Sequence, residues 1–342
     1  MRIFYAPETE AHVPEFFLAR GRVVSSEERS QRAELLLAAV RELGLSPQSP
    51  ENTPLDRVLT VHTPRYLDFL RDAFAVWHEM PQAGLEVVAN VQPRRPEASY
   101  PDGILGRAGW HLGDLACPIG KHTYHAARRA ADSAVAAARA VAEGEKSAYA
   151  LCRPPGHHAS DEVAAGHCYL NNAAIAASVL QEEGARPAVL DIDVHHGNGT
   201  QAIFYDRDLL TVSVHMDPHS IYPWFTGHTS ETGVGPGEGF NRNLPLERGT
   251  SDEAWLDAVQ TGIELVERDG ADAMVLALGL DVHTDDPLGG LDVSTDGIRR
   301  GGTLVGATRL PVAVTQEGGY LSPSLSTNAK AFFEGFLSAR PS

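Results

Sequence analysis

Cysteine is scarce in this sequence, with 3 in 342 residues: Cys117, Cys152 and Cys168, at unrelated spacings. So sparse and odd a set makes neither a disulfide framework nor a thiolate metal site, and it reads as small core residues in a reducing compartment. Long apolar runs are also lacking, and none approaches the roughly 18 residues of a membrane span. After Met1–Tyr5, the acids Glu8 and Glu10 arrive before an apolar segment can develop, so no secretory signal is expected and the cytoplasm is the expected compartment. Basic residues are outnumbered, 28 Lys and Arg against 45 Asp and Glu, giving a formal charge of −17. That charge repels phosphate and argues against nucleic acid as a partner, while it is compatible with a cationic amine. It equally suits an ordinary solubilising surface. What is present is globular: 43% hydrophobic and 21% charged residues argue against disorder.

Short β-branched runs alternate with long amphipathic stretches, the pattern of a parallel sheet covered by helices. Strands are expected at Arg2–Tyr5, Val58–Val61, Tyr149–Cys152, Ala188–Ile192, Leu210–Val214, Met274–Leu280 and Val312–Gln316. Helices are expected at Gln31–Leu43, Tyr66–Trp77, Thr123–Ala142, Asn172–Glu182, Asp252–Glu267, Asp296–Thr308 and Asn328–Leu337. The expected fold is α/β: a single domain over 1–342, with a parallel sheet flanked by helices and an active site at the C-terminal strand ends. Residues 80–122, with Pro81, Pro93, Pro96, Pro101 and Pro118, have weak periodicity. So long an irregular segment is expected to be a lid, a binding loop or an oligomer contact, and Tyr100 and Trp110 favour an ordered one.

Five of the expected strands run into chemically capable residues. Tyr149–Cys152 leads to Arg153-Pro154-Pro155-Gly156-His157-His158, and Ala188–Ile192 leads to Asp193, His195 and His196, with Asp191 inside the strand. His215 follows the third, Asp281 closes the fourth, and Glu317-Gly318-Gly319-Tyr320 follows the fifth. Ligands of open α/β sheets bind beyond the carboxyl ends of the strands, so these residues are expected to converge on one crevice. In an extended chain Asp191, Asp193 and His195 share one side, so Asp193 and His195 can grip one ion, with Asp281 as a third ligand. Two carboxylates and an imidazole suit Zn²⁺ or Fe²⁺, and three protein ligands leave a position open for chemistry. The alternative is a buried Asp–His network without metal. His157 and His158, in a Pro-Pro-Gly turn, suit the transfer of a proton from water to a leaving amine. Tyr320 follows two glycines that let the backbone turn tightly, so its hydroxyl can reach the cavity and stabilise an oxyanion.

At these residues the chain resembles the arginase–deacetylase superfamily: the histone-deacetylase-like enzymes and, among them, bacterial acetylpolyamine amidohydrolases. The matching motifs are Arg153–His158, Gly166–Asn172, Asp191–Gly199, Leu278–Asp281 and Glu317–Tyr320, and the similarity covers nearly the whole chain. The resemblance implies Zn²⁺ on Asp193, His195 and Asp281, His158 as general base and acid, His157 positioning the water, and Tyr320 as oxyanion donor. It also implies a structural K⁺ surrounded by Asp191, the backbone carbonyls of Asp193, His195 and Val214, and the Ser213 hydroxyl. Asp191 buttresses His157, and Asn198 partners His158. A neutral partner should leave that imidazole less basic than an aspartate would. Gly166, His167 and Tyr222 match the substrate tunnel, with His167 where an aromatic is usual. Residues 80–122 match an insertion that forms a homodimer contact and narrows the entrance.

The acids that recognise a distal ammonium in such enzymes do not line up. Leu105 and Ala116 stand there, Asp114 is the nearest acid, and Glu8, Glu10 and Glu15 are candidates to compensate. The expected activity is removal of acetyl or other acyl groups from small amines such as N-acetylputrescine or N-acetylcadaverine. Its rivals are a deacylase of acetyl-lysine peptides or other small amides, a non-catalytic binder of acylated amines, and an arginase-like ureohydrolase. The last would need carboxylates where His157 and His158 stand.

Overall fold

The computed structural model describes residues 1–93 and 98–340, so Pro96 of the proline-rich stretch lies outside the described residues. Ten strands occur along them: β1 (Arg2–Phe4), β2 (Phe16–Ala19), β3 (Arg22–Ser25), β4 (Pro47–Gln48), β5 (Ser147–Ala150), β6 (Pro187–Asp191), β7 (Thr211–Met216), β8 (Asn241–Leu246), β9 (Ala273–Leu278) and β10 (Val312–Gln316). Eight form one sheet in the order β4-β1-β5-β10-β9-β6-β7-β8, and every ladder in it is parallel. The five strands that carry chemistry at their tips are consecutive neighbours in that order. This adjacency is what turns scattered motifs into one site.

Central strands read as continuous apolar runs because helices cover both faces of the sheet. All of β9 is buried, and its side chains divide by alternation. Val275 and Ala277 join the layer that contains the alanine-rich helices Thr123–Ala142 and Asn172–Glu182. Met274, Leu276 and Leu278 join the opposite layer, of helices Gln31–Glu42, Asp252–Asp269, Thr295–Ala307 and Leu325–Ala339.

The expected strand at Val58–Val61 is wrong: Asp56–Leu59 is a helical turn. Val58 and Val61 are 0% and 3% exposed, and a spacing of three buries both on one side of a helical turn but not of a strand. Sequence reading also missed β4, β8 and the β2–β3 hairpin. That hairpin turns through Arg20 and Gly21 at φ 52° and 74°, the paired positive φ of a two-residue turn whose usual signal is Asn-Gly. The irregular stretch contains an unforeseen helix, Ile104–His111. Tyr100 and Trp110 pack edge to face there with Arg65 against both rings, so this part is ordered. No helix among the described residues is long and apolar enough to cross a membrane.

Candidate active site and metal centre

Beyond β6 the chain is pinned by its own carboxylates. Asp191 Oδ1 accepts the Asp193 N–H at 3.0 Å, and Asp193 Oδ1 accepts the His195 N–H at 2.9 Å. Neighbouring strand tips close on the same spot: Asp281 Oδ1 accepts the Val194 N–H at 3.1 Å, and Asp193 Oδ2 accepts the Gly318 N–H at 2.7 Å. Gly318 is required by close approach, since a Cβ there would collide with Asp281 Oδ2. One ligand atom from each of Asp193, His195 and Asp281 lies within 4.8 Å of the others, and all three residues are buried.

This cluster fits a metal ion. Asp281 Oδ2 is buried without a hydrogen-bond partner; His195 Nδ1 is 3.2 Å away but poorly aligned. Burial and the Asp193 charge push the Asp281 carboxyl up to about 7. Burial also opposes charge on His195, but Asp193 and Asp281 outweigh it and lift the imidazole to about 10. Without a metal, only a protonated His195 offsets the two carboxylates in this dry pocket, and it leaves one oxygen without an aligned donor; a metal cation shared by all three removes that cost. The donor set of two carboxylates and an imidazole is compatible with a divalent metal.

The two imidazoles after β5 are pushed apart in charge. Burial disfavours protonated His157, but Asp191 and Asp193 outweigh it and lift His157 to about 10; its Nδ1 lies 2.9 Å from Asp191 Oδ2. His158, its ring centroid 4.0 Å from that of His157, is driven well below its ordinary value by burial and then by the positive charge of His157 and His195. Its Nδ1 meets Asn198 Oδ1 at 2.7 Å, so the proton sits on Nδ1 and the Nε2 lone pair is free. Adjacent titratable groups with opposed shifts mark acid–base chemistry. A cation on Asp193 and Asp281 would weaken the field that charges His157. Glu317 ties the β5 and β10 tips together, its Oε2 accepting the N–H groups of Gly156 and His157 at 2.6 and 2.9 Å.

Tyr320 is clamped from two directions. Asp286 Oδ2 accepts its backbone N–H at 2.7 Å. The Arg32 guanidinium lies 4.7 Å from its ring centroid and donates to Gly319 O and Glu317 O, both at 2.7 Å. Glu28 holds Arg32 at 2.7 Å and Arg153 at 2.8 Å in a fully buried cluster. Burial pushes the Tyr320 phenol well above its ordinary value, so it stays a protonated donor.

The walls come from elsewhere. The Tyr222 ring stands edge-on to His158 at 4.8 Å and lies 6.3 Å from His195. Gly166, at φ 52°, lies against His158 so closely that a Cβ would strike the ring. His167, at φ 66°, packs between Phe17 at 5.4 Å and Tyr320 at 5.8 Å; burial lowers its affinity for a proton. Asp114 joins two wall elements, its Oδ2 accepting the Tyr222 hydroxyl at 2.7 Å and the Gly166 N–H at 2.9 Å. Asp191 and Ser213 are direct partners across the β6–β7 ladder, with Val214 next, so the residues of the expected K⁺ site are also neighbours.

Glu8 and Glu10 have partners of their own: Glu8 pairs with Arg129 at 3.4 Å and Glu10 accepts from Tyr5 at 3.0 Å. Sequence reading missed Arg32, Glu28, Asp286 and Phe17 altogether. The first two gave no sequence signal, since Glu28 precedes the helix that carries Arg32.

Comparison with known proteins gives the same answer as the geometry. Residues 26–336 match the family described as the histone deacetylase domain. The acetylpolyamine amidohydrolase of Burkholderia pseudomallei (strain 1710b) is 45% identical over 342 residues, covering 99% of this chain and 100% of that protein. The enzyme of the same name from Mycoplana ramosa is 36% identical, covering 98% and 99%. The crystal structure of acetylpolyamine aminohydrolase from Burkholderia pseudomallei superposes with a TM-score of 0.96 at 45% identity and full coverage of both chains. The HDA15 HD domain gives a TM-score of 0.79 at 28% identity, over 100% of this chain and 89% of that one. The parallel sheet, the gathered strand tips and these matches place the chain in the histone deacetylase family of amide-hydrolysing enzymes.

Proposed function

We propose that this chain is a zinc-dependent amidohydrolase that removes acetyl groups from small acetylated amines, N-acetylputrescine and N-acetylcadaverine among them. The observation that carries the reading is the unpartnered Asp281 oxygen in a buried Asp–His–Asp group, beside one charged and one neutral imidazole. Asp193, His195 and Asp281 would hold the ion, Zn²⁺ with Fe²⁺ as its competitor. When bound, such an ion polarises an amide carbonyl and acidifies a water molecule. His158 Nε2 takes the proton of the attacking water and returns it to the departing amine. His157, fixed by Asp191, positions that water through its Nε2 edge. The Tyr320 hydroxyl donates to the oxygen on which negative charge develops, a device worth about 10²-fold or more.

A cationic amine is favoured by the formal charge of −17 and by Asp114 on the tunnel wall. The names of the relatives point the same way. In this reading a structural K⁺ is held by Asp191, Ser213 and the carbonyls of Asp193, His195 and Val214. Residues 80–122 form the homodimer contact and narrow the entrance of a single catalytic domain, and the enzyme works in the cytoplasm, where three buried free thiols are at home. The test is turnover of N-acetylputrescine, N-acetylcadaverine and an acetyl-lysine peptide by purified protein of measured metal content. Preference for either small amine with one Zn²⁺ per chain supports the reading; a strong preference for the peptide removes it.

A further inference from the structure

The loop after β7 carries a feature that the catalytic floor does not use. Ile221–Gly227 is braced along its length. The Tyr222 hydroxyl is held by Asp114, the Trp224 N–H bonds Ile221 O at 3.2 Å, Thr226 Oγ1 meets His196 Nδ1 at 3.2 Å, and the Gly227 N–H bonds Glu231 at 2.8 Å. Yet the tip of so fixed a loop leaves Trp224 55% exposed, in a left-handed backbone conformation (φ 63°) that bulky side chains rarely adopt. The indole stands edge-on to Tyr222 at 5.4 Å, and Tyr222 in turn faces His158 and His195. Arg65 stacks on Trp110, whereas among the described residues no guanidinium covers Trp224.

We infer that Trp224 is the outer binding element of the site, where its indole receives the distal ammonium of a small acetylated diamine; the inference rests on the deacetylation of small amines proposed above. A four-methylene chain spans about 6 Å, comparable with the 5.4 Å from the Tyr222 ring to that of Trp224. With the carbonyl at the floor and the amide nitrogen level with Tyr222, the far ammonium comes to the next ring out, that of Trp224. Indole is the strongest of the aromatic faces for a cation within about 6 Å of its centroid. The braced backbone fixes where the indole is attached, so little ordering of the loop is left for binding.

The experiment compares N-acetylputrescine with N-butylacetamide, its neutral analogue, in wild type, Trp224→Leu and Trp224→Phe. The readout is the ratio of the two kcat/KM values, which cancels effects common to both substrates. Trp224→Leu is expected to lower that ratio about fivefold, mainly through KM for the cation, and Trp224→Phe to recover much of it. An unchanged ratio in Trp224→Leu, or a loss that phenylalanine does not restore, overturns the role of the indole while leaving deacetylation intact. A wild type that hydrolyses neither small amide but cleaves an acetyl-lysine peptide overturns both readings.

Discussion

The floor of the site and its rim are built by different rules. On the floor, Asp193, His195, Asp281 and Tyr320 are each held by backbone N–H groups or carboxylates of their own or neighbouring strand tips, at 3.1 Å or less. All are buried. At the rim, Tyr222 and Trp224 come from one loop and Gly166 from another, the two loops being joined through the partly exposed Asp114. A densely bonded, buried network tolerates little change without leaving a further unpaired charge or donor, whereas a partly exposed one lets water replace what is lost. Floor substitutions should therefore abolish turnover, and rim substitutions should redirect it.

The largest effect is expected from Asp281→Ala. It removes the one unpartnered carboxylate oxygen of the cluster, so bound metal should fall well below one per chain and activity should drop to background, at least about 10³-fold. Elemental analysis beside a rate assay checks both. A variant that keeps its metal and more than a tenth of its rate would put the chemistry somewhere other than this floor.

Tyr320→Phe comes next. The ring, its contact with Arg32 and the backbone bond to Asp286 all remain, so only the donated hydrogen bond is lost. A fall in kcat of about 10²–10³ with KM changed less than threefold is expected from steady-state kinetics, because the bond is made chiefly as charge develops on the oxygen. A rise in KM at constant kcat would instead assign Tyr320 to the rim.

The same division explains what could be read from sequence. The floor was legible because its residues cluster in short runs after apolar strands, where alternation fixes which side chains share a face. Asp191, Asp193 and His195 show this well. The rim was legible only through the resemblance, which pointed to Gly166, His167, Tyr222 and Asp114 and missed Phe17, because these are single residues scattered over the chain and only the packing of loops sets their proximity. Arg32 and Glu28 fail for a third reason: Glu28 precedes the helix that begins at Gln31, so nothing in the sequence pairs it with Arg32 or shows that both charges are buried. Val58–Val61 misled because four apolar or β-branched residues cannot by themselves distinguish a short strand from one helical turn.

Asp114→Asn sharpens the rim side of the comparison. Asparagine can still accept from Tyr222 and Gly166 through its one oxygen; it removes the negative charge from the wall together with the oxygen that accepts the Ala116 N–H at 2.8 Å. KM for N-acetylputrescine should rise by about three- to tenfold, with kcat within threefold of wild type and a smaller change for N-butylacetamide. A hundredfold loss of kcat with either substrate would show that Asp114 supports the floor through Tyr222, and the two regions would then be one.

The smallest effect concerns how the 80–122 stretch is attached. Glu86, only 4% exposed, accepts the Glu15 N–H at 3.2 Å on both oxygens, fastening this stretch to the chain that leads into the β2–β3 hairpin and so to Phe17. Burial pushes its carboxyl up to about 7; the Glu15 N–H bond opposes the shift and the Glu15 charge adds to it. An acid whose folded value is raised destabilises the fold as it ionises, so the cost is absent below the unfolded value near 4.5, grows as pH rises, and is complete above about 7. The side chain borders a surface hollow with His12, Glu15 and His122, so solvent screens much of this and about 1 kcal/mol is a fair expectation. Glu86→Gln should match wild type at pH 5 and melt about 1–2 °C higher at pH 8.5 in a calorimetric scan. Equal melting temperatures at both pH values would mean that the carboxylate is solvated and that the anchor is only a hydrogen bond; a lower melting temperature at pH 8.5 would mean that the ionised form holds the two segments together.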